Sequence, residues 1–129
     1  MTLTARDTRI LVIDDNPNVV DLLSTFLRGE GYGVLGALTS DDGLKLAILA
    51  RPELVLLDIG LPGANGLELL MRMRLMNPSA KVIMVTGNTD PALAREAFRL
   101  GALAYVDKPF DLAYLKRVIA MALREGAVD

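Results

Sequence analysis

Two aspartates stand side by side directly after a run of apolar residues near the start of the chain. The run is Ile10 to Ile13, and the pair is Asp14 and Asp15. Adjacent carboxylates repel each other, and the repulsion grows at the low-dielectric edge of a protein core. Such a pair needs solvent, a cation or a shifted pKa. A cation would make this pair part of a binding site.

Three later apolar runs also end in side chains that can do chemistry. Asp58 follows one, Thr86 and Gly87 follow the next, and Lys108 comes shortly after the last. A single aspartate after a strand is more often a turn residue or a helix cap. Five suitable residues at the ends of four strands instead favour one shared site.

The charges of these residues predict a divalent cation and a phosphoryl group. Asp14, Asp15 and Asp58 are negative and Lys108 is positive, so one divalent cation would bring the sum to zero. The chain has no histidine or cysteine, and oxygen ligands alone suit Mg²⁺, with Mn²⁺ as an alternative. Asp58 could then form an aspartyl phosphate. Lys108 and Thr86 could bind the phosphoryl oxygens.

Five apolar runs alternate with five segments of helical periodicity. The runs cover residues 10–13, 33–37, 54–57, 82–85 and 103–106. Their uniform hydrophobicity favours parallel strands covered on both faces. Strict alternation predicts an α/β fold with a doubly wound five-stranded parallel sheet and five helices. In such sheets ligands bind beyond the carboxyl ends of the strands, so we expect the polar residues to meet at one edge.

Start signals mark each helix. The predicted N-caps are Asn16, Ser40, Asn65, Asp90 and Asp111. The first three helices should end near residues 28, 50 and 76, and Gly101 should end the fourth. Glu68, three residues after Asn65, resembles the second half of a capping box, and Phe110 with Leu115 could form a hydrophobic staple.

Length and composition predict one globular domain. The chain has 129 residues, of which 52% are hydrophobic and 23% charged, and its net charge is −2. We place the domain at residues 8–125, after a polar tail at residues 1–7. The acidic balance argues against direct nucleic-acid binding. Because no apolar run is long enough to span a membrane and no signal peptide is evident, we expect no membrane partner and a cytoplasmic location.

The chain resembles the receiver domains of two-component response regulators over about residues 8–125. The resemblance rests on Asp14–Asp15, on Asp58 followed by LPGANG, on Thr86–Gly87 and on YVDKPF from Tyr105 to Phe110. The spacing of Asp15, Asp58 and Lys108 is also similar to that of the family. The resemblance implies a flavodoxin-like sheet in the order 2-1-3-4-5.

The resemblance also implies roles for the residues of the site. Asp58 corresponds to the phosphoacceptor, Asp15 to a direct Mg²⁺ ligand and Asp14 to a largely water-mediated one. The backbone carbonyl of Gly60 corresponds to a further metal contact. Lys108 corresponds to the lysine that binds the phosphoryl group.

The family's switch and its partners are implied in the same way. Thr86 and Tyr105 correspond to the switch pair, although the residue pattern alone predicts only packing for Tyr105. The bond before Pro109 corresponds to a cis peptide. The donor would be a histidine kinase or a histidine phosphotransfer protein. The fourth helix, fifth strand and fifth helix would bind a downstream effector or a second copy, through a surface that includes Arg95, Arg99 and Arg117.

We therefore interpret the chain as a signalling switch that catalyses its own phosphorylation and slow dephosphorylation, not as a turnover enzyme. Gly60 and Asn88 stand at positions where the family tunes hydrolysis, so the lifetime of the phosphorylated form stays open. A phosphatase with an aspartate nucleophile would want an acid where Gly60 stands. A flavodoxin-like electron carrier would want a phosphate-binding loop where the acidic pair stands. A receiver-like module that works without phosphorylation is the remaining alternative.

Overall fold

The computed structural model describes residues 8–61, 65–88 and 90–125, and it contains the predicted five-stranded parallel sheet. The strands are β1 (Arg9–Ile13), β2 (Gly33–Ala37), β3 (Leu54–Leu57), β4 (Lys81–Thr86) and β5 (Ala104–Asp107). Their spatial order is β2-β1-β3-β4-β5. All four neighbouring pairs are parallel, so the predicted fold and strand order are confirmed.

Four helices connect the five strands, a fifth follows β5, and together they cover both faces of the sheet. They are α1 (Pro17–Gly29), α2 (Ser40–Ala50), α3 (Gly66–Met76), α4 (Pro91–Arg99) and α5 (Leu112–Glu125). One apolar cluster joins alternate strand residues to α1 and α5, and the other joins the intervening residues to α2, α3 and α4. The central strands are buried on both faces, which explains why they are uniformly apolar.

Four of the five predicted N-caps are present. The side chains of Asn16, Asn65, Asp90 and Asp111 each accept a hydrogen bond from the amide two residues later, at 2.8–2.9 Å. The prediction of Ser40 as a cap was wrong. Thr39 is the cap, because it has extended backbone angles and its hydroxyl accepts from the Asp42 amide.

Two other local predictions need correction. The capping box is incomplete, since Glu68 forms an exposed ion pair with Arg72 at 3.1 Å. The fifth strand lies one residue later than predicted. Gly101 does end α4, with a φ of 107° that favours glycine. Phe110 and Leu115 belong to the same apolar cluster, as a staple requires.

A glycine lets α2 pack directly on the sheet. A Cβ atom at Gly43 would lie 2.7 Å from Ile13 Cδ1, so a larger residue there would require the Ile13 side chain to shift. Among the described helices, none has both the length and the hydrophobicity needed to cross a bilayer. The predicted tail at residues 1–7 lies outside the described residues, and the domain bounds 8–125 stay a prediction.

Candidate functional site

Backbone hydrogen bonds between neighbouring strands continue one residue past the strand ends, and they fix the positions of the site residues. The amides of Asp14 and Asp58 each donate to a carbonyl at the end of a neighbouring strand, at 3.1 Å. The Lys108 amide donates to the Thr86 carbonyl at 2.9 Å. The ends of β1, β3, β4 and β5 are therefore held side by side at one edge.

Lys108 binds two of the predicted aspartates at once. Its Nζ atom lies 2.5 Å from Asp14 Oδ2 and 3.1 Å from Asp58 Oδ2. Both aspartates are buried, with 3% and 7% of their surface exposed. A buried carboxylate needs a partner, and one ammonium serves both.

The other oxygens of these carboxylates accept backbone hydrogen bonds. Asp58 Oδ1 accepts from the Gly60 amide at 3.1 Å, and Asp14 Oδ1 accepts from the Asn16 amide at 2.9 Å. Each of the two carboxylates thus has a hydrogen-bond partner at both of its oxygens, and these partners fix the orientation of Asp58.

The pKa values agree with an ionised Asp58. Burial raises the pKa of Asp58, but the hydroxyl of Thr86, the Gly60 amide and Lys108 together lower it below the ordinary value. Burial lowers the pKa of Lys108, but hydrogen bonds and charge attraction from Asp14 and Asp58 outweigh burial and raise it above the ordinary value. At neutral pH the site therefore holds an ionised Asp58 carboxylate beside the Lys108 ammonium.

Asp15 differs from the two buried aspartates. It is exposed, yet one carboxylate oxygen from each of Asp14, Asp15 and Asp58 lies within 4.8 Å of the others. Three hard oxygen donors with one solvent-facing member fit a cation that retains water, as Mg²⁺ does. Gly60, whose carbonyl was predicted as a further contact, is exposed at the same loop.

Thr86 and Tyr105, the predicted switch pair, both hydrogen-bond to Asn88, a contact that the sequence analysis did not predict. Thr86 is buried, and its hydroxyl oxygen accepts from the Asn88 amide at 3.2 Å. The Tyr105 hydroxyl donates to the Asn88 carbonyl at 2.7 Å. The Asn88 side chain accepts from the Asp90 amide at 3.0 Å, so one residue contacts both side chains of the predicted switch pair and the cap of α4.

Gly66 is a second residue whose role the sequence analysis missed. A Cβ atom there would lie 2.5 Å from the Asp58 carbonyl oxygen and 2.5 Å from Ile59 Cα. Its amide donates to the Ile59 carbonyl at 3.0 Å. Glycine at this position lets α3 begin directly against the loop that follows Asp58. The Lys108–Pro109 peptide bond is cis in the structure.

Comparison with known sequences finds the same family that the motifs indicate. The family model described as the response regulator receiver domain matches residues 10–120. Sporulation initiation phosphotransferase F of Bacillus subtilis is 33% identical over 111 residues, which cover 86% of this chain and 90% of that protein. Other curated relatives, at 32–37% identity, are longer, and the chain spans between 25% and 57% of their lengths.

Solved structures agree with the fold. A receiver domain protein (CheY-like) from Methanospirillum hungatei JF-1 is similar at a TM-score of 0.91 and 35% identity, over 93% of this chain and 96% of that one. A response regulator from Burkholderia pseudomallei, solved with a phosphorylated aspartic acid, calcium ion and citrate, is similar at a TM-score of 0.84 and 31% identity, over 92% and 70% of the two chains.

Proposed function

Because the chain belongs to the response regulator receiver family of two-component systems, we propose that Asp58 accepts a phosphoryl group from a histidine of a separate protein. The chain itself contains no histidine, so the donor is a histidine kinase or a histidine phosphotransfer protein. The Burkholderia pseudomallei relative, solved with a phosphorylated aspartic acid, supports this chemistry.

One observation carries the assignment to Asp58. Lys108 links the ends of three strands by contacting Asp14 and Asp58, and on the central strand end Asp58 also accepts from the Gly60 amide and interacts with the Thr86 hydroxyl, which lowers its pKa. Asp14 has its own contacts to Lys108 and Asn16 but follows the first strand, beside the exposed Asp15. Asp58 therefore has the environment that keeps a nucleophile charged and oriented.

The transfer step needs no co-reactant beyond the donor. A carboxylate oxygen of Asp58 attacks the phosphorus of the phosphohistidine, a P–O bond forms and the P–N bond breaks. The imidazole leaves with its electron pair and takes up a proton. Lys108 contacts an oxygen of the transferred group, and the Thr86 hydroxyl donates to another, so both stabilise its negative charge.

Asp15, Asp58 and the Gly60 carbonyl would hold the Mg²⁺ ion, and Asp14 would contact it largely through water. Bound there, Mg²⁺ supplies positive charge that offsets the surplus of carboxylates and the charge of the phosphoryl group. Mn²⁺ has the same preference for oxygen ligands and serves as an alternative. Because few protein ligands are present, we expect millimolar affinity.

The phosphorylated state would be signalled through Asn88. A phosphoryl group on Asp58 draws the Thr86 hydroxyl toward it, which disturbs the bond between Thr86 and the Asn88 amide and, through Asn88, the Tyr105 hydroxyl. The exposed surface of α4, β5 and α5 then changes. That surface includes Phe98, which is 49% exposed, and is the proposed contact for an effector or a second copy.

Mass spectrometry of the intact chain tests the proposal. Incubation with acetyl phosphate and Mg²⁺ should add one phosphoryl group to the wild type and none to Asp58→Asn. Asp107→Asn, which changes an exposed aspartate at the end of β5, is the matched control and should be labelled like the wild type. Full labelling of Asp58→Asn would move the nucleophile elsewhere. An unlabelled wild type, from acetyl phosphate and from phosphohistidine donors alike, would favour a binding module that works without phosphorylation.

A further inference from the structure

A cavity lies at the opposite edge of the sheet from the aspartate site. It opens between α2 and α3, near the amino ends of β3 and β4, and its volume is about 180 Å³. None of the residues proposed for phosphorylation lines it. An apolar protein cavity of roughly 150 Å³ is large enough to bind benzene, so this one has room for a ring or a chain of a few carbons.

The walls of the cavity are apolar. Leu44 and Ala47 of α2, Val55 of β3 and Met73 of α3 are among the lining residues. Met73 and Val55 are almost fully buried, with 2% and 1% exposure, so the floor is fixed by the core. A hydrocarbon group that entered would replace water at these walls, which is favourable.

The rim of the cavity carries a cation whose backbone is held in place. Arg51 lines the cavity and caps α2 in the left-handed region, at φ 48° and ψ 60°. Its amide donates to the Ala47 carbonyl at 3.2 Å, and the buried Pro52 follows. Among residues 8–61, 65–88 and 90–125, no carboxylate forms an ion pair with Arg51.

A second polar group at the rim is also a donor. Asn77 lines the cavity, and its Oδ1 atom accepts from the Ser79 hydroxyl at 2.9 Å, which leaves the amide nitrogen of its side chain available to donate. The lining includes no acidic residue. The rim therefore offers a guanidinium and an amide donor, and together they are complementary to a carboxylate.

We propose that this cavity binds a small apolar monocarboxylate. The hydrocarbon part lies between α2 and α3 against Val55 and Met73, and the carboxylate binds Arg51 and Asn77. The bound molecule is a short aliphatic or aromatic acid. The site is separate from the phosphoacceptor and does not depend on it.

A pair of matched ligands tests the proposal. The full chain, labelled with ¹⁵N, is titrated with hexanoate and with 1-hexanol, and binding is followed by NMR at neutral pH. Hexanoate should shift amide signals within residues 44–55 and 73–80, with an affinity about fivefold higher than that of hexanol, as one exposed charge contact provides. Equal affinities, shifts scattered over the surface or no binding would overturn the proposal.

Variants of Arg51 test whether this residue causes the preference for hexanoate over hexanol. Asn is tolerated in the left-handed region, so Arg51→Asn should bind hexanoate and hexanol equally well while its hexanol affinity stays at the wild-type value. Arg51→Lys should retain part of the preference for hexanoate. Lys45→Gln, an exposed cation of α2 outside the cavity, is the control and should keep the full preference. An unchanged preference in Arg51→Asn, or its loss in Lys45→Gln, would contradict the assignment.

Discussion

At the carboxyl ends of the strands, buried polar side chains are tied to one lysine, whereas at the amino ends the wall is apolar and a single arginine stands at its rim. β3 runs through both regions. Val55 of this strand lines the cavity between α2 and α3. Three residues later, Asp58 accepts hydrogen bonds from Lys108 and from the Gly60 amide. The sheet is the same scaffold in both places, so the difference comes from the residues that follow or precede each strand.

We expect stability and function to depend on different ends of the strands in this fold. The carboxyl end gathers three carboxylates, whose mutual repulsion should cost free energy in the absence of a bound cation. The amino end buries methyl and methylene groups, which stabilise the fold because they leave water and pack against each other. Substitutions at the two ends should therefore change different measured quantities.

Met73→Ala should produce the largest loss of stability. Met73 is 2% exposed and lines the cavity, so truncation should lower the free energy of unfolding by about 2–5 kcal/mol. Met76→Ala, in the same helix at a side chain that is 53% exposed, should stay within about 0.5 kcal/mol of the wild type. Urea unfolding followed by circular dichroism measures both. If folded Met73→Ala is phosphorylated like the wild type, packing at the amino ends does not affect the aspartate site. A loss of phosphorylation in the folded variant would show that the two ends are coupled.

Gly66→Ala should affect both stability and the site. Its Cβ would meet backbone atoms of Asp58 and Ile59 at 2.5 Å, so the loop must move or the helix must shift, at a cost of about 1–3 kcal/mol. Gly29→Ala, at the end of α1, is the control, because a Cβ atom there would have nothing within 4 Å. We expect acetyl phosphate labelling to slow markedly in Gly66→Ala only. Normal labelling together with normal stability in Gly66→Ala would show that the close approach is unimportant.

Asp15→Asn should change stability least and metal binding most. Asp15 is exposed and near two other carboxylates, so in chelator its neutralisation should raise the free energy of unfolding by up to about 1 kcal/mol. The extra stability that millimolar Mg²⁺ confers on the wild type should be lost. Denaturant titrations with Mg²⁺ and with chelator measure both effects. A clearly destabilised Asp15→Asn in chelator would mean that Asp15 has a structural role.

Asp58 should also contribute a small acid dependence. Its pKa is lowered in the folded chain, so its contribution to stability is present above the ordinary pKa and is lost as the pH falls through the folded value. In chelator, the wild type should lose more stability than Asp58→Asn as the pH falls below the ordinary pKa of an aspartate. Parallel pH profiles of the two proteins would contradict the lowered pKa.

The fold and most of the site could be predicted from the sequence because parallel strands buried on both faces are uniformly apolar and end in recognisable polar residues. Strand order does not follow from periodicity and came from the family resemblance. The error at Ser40 has a simple cause, since Thr39 and Ser40 are both good caps and only the backbone angles distinguish them. Glu68 could reach either the cap or Arg72, and the sequence does not decide between them.

Other features depend on backbone atoms and packing, which leave no side-chain signal. Tyr105 binds a carbonyl of Asn88, and any residue type offers a carbonyl. The need for glycine at position 66 arises from the approach of α3 to the loop after Asp58. The cavity at the amino ends depends on how α2 and α3 diverge, and it could not be predicted from periodicity.

Binding of beryllium fluoride, a phosphoryl mimic, tests the central claim most directly, because it needs the nucleophile, the lysine and the metal together. ¹⁹F NMR of the chain should show a bound signal in the wild type only when Mg²⁺ is present. The same signal should be absent from Asp58→Asn and retained in Asp107→Asn. A bound signal of equal intensity in chelator, or in Asp58→Asn, would contradict the account of a magnesium-dependent phosphoacceptor at Asp58.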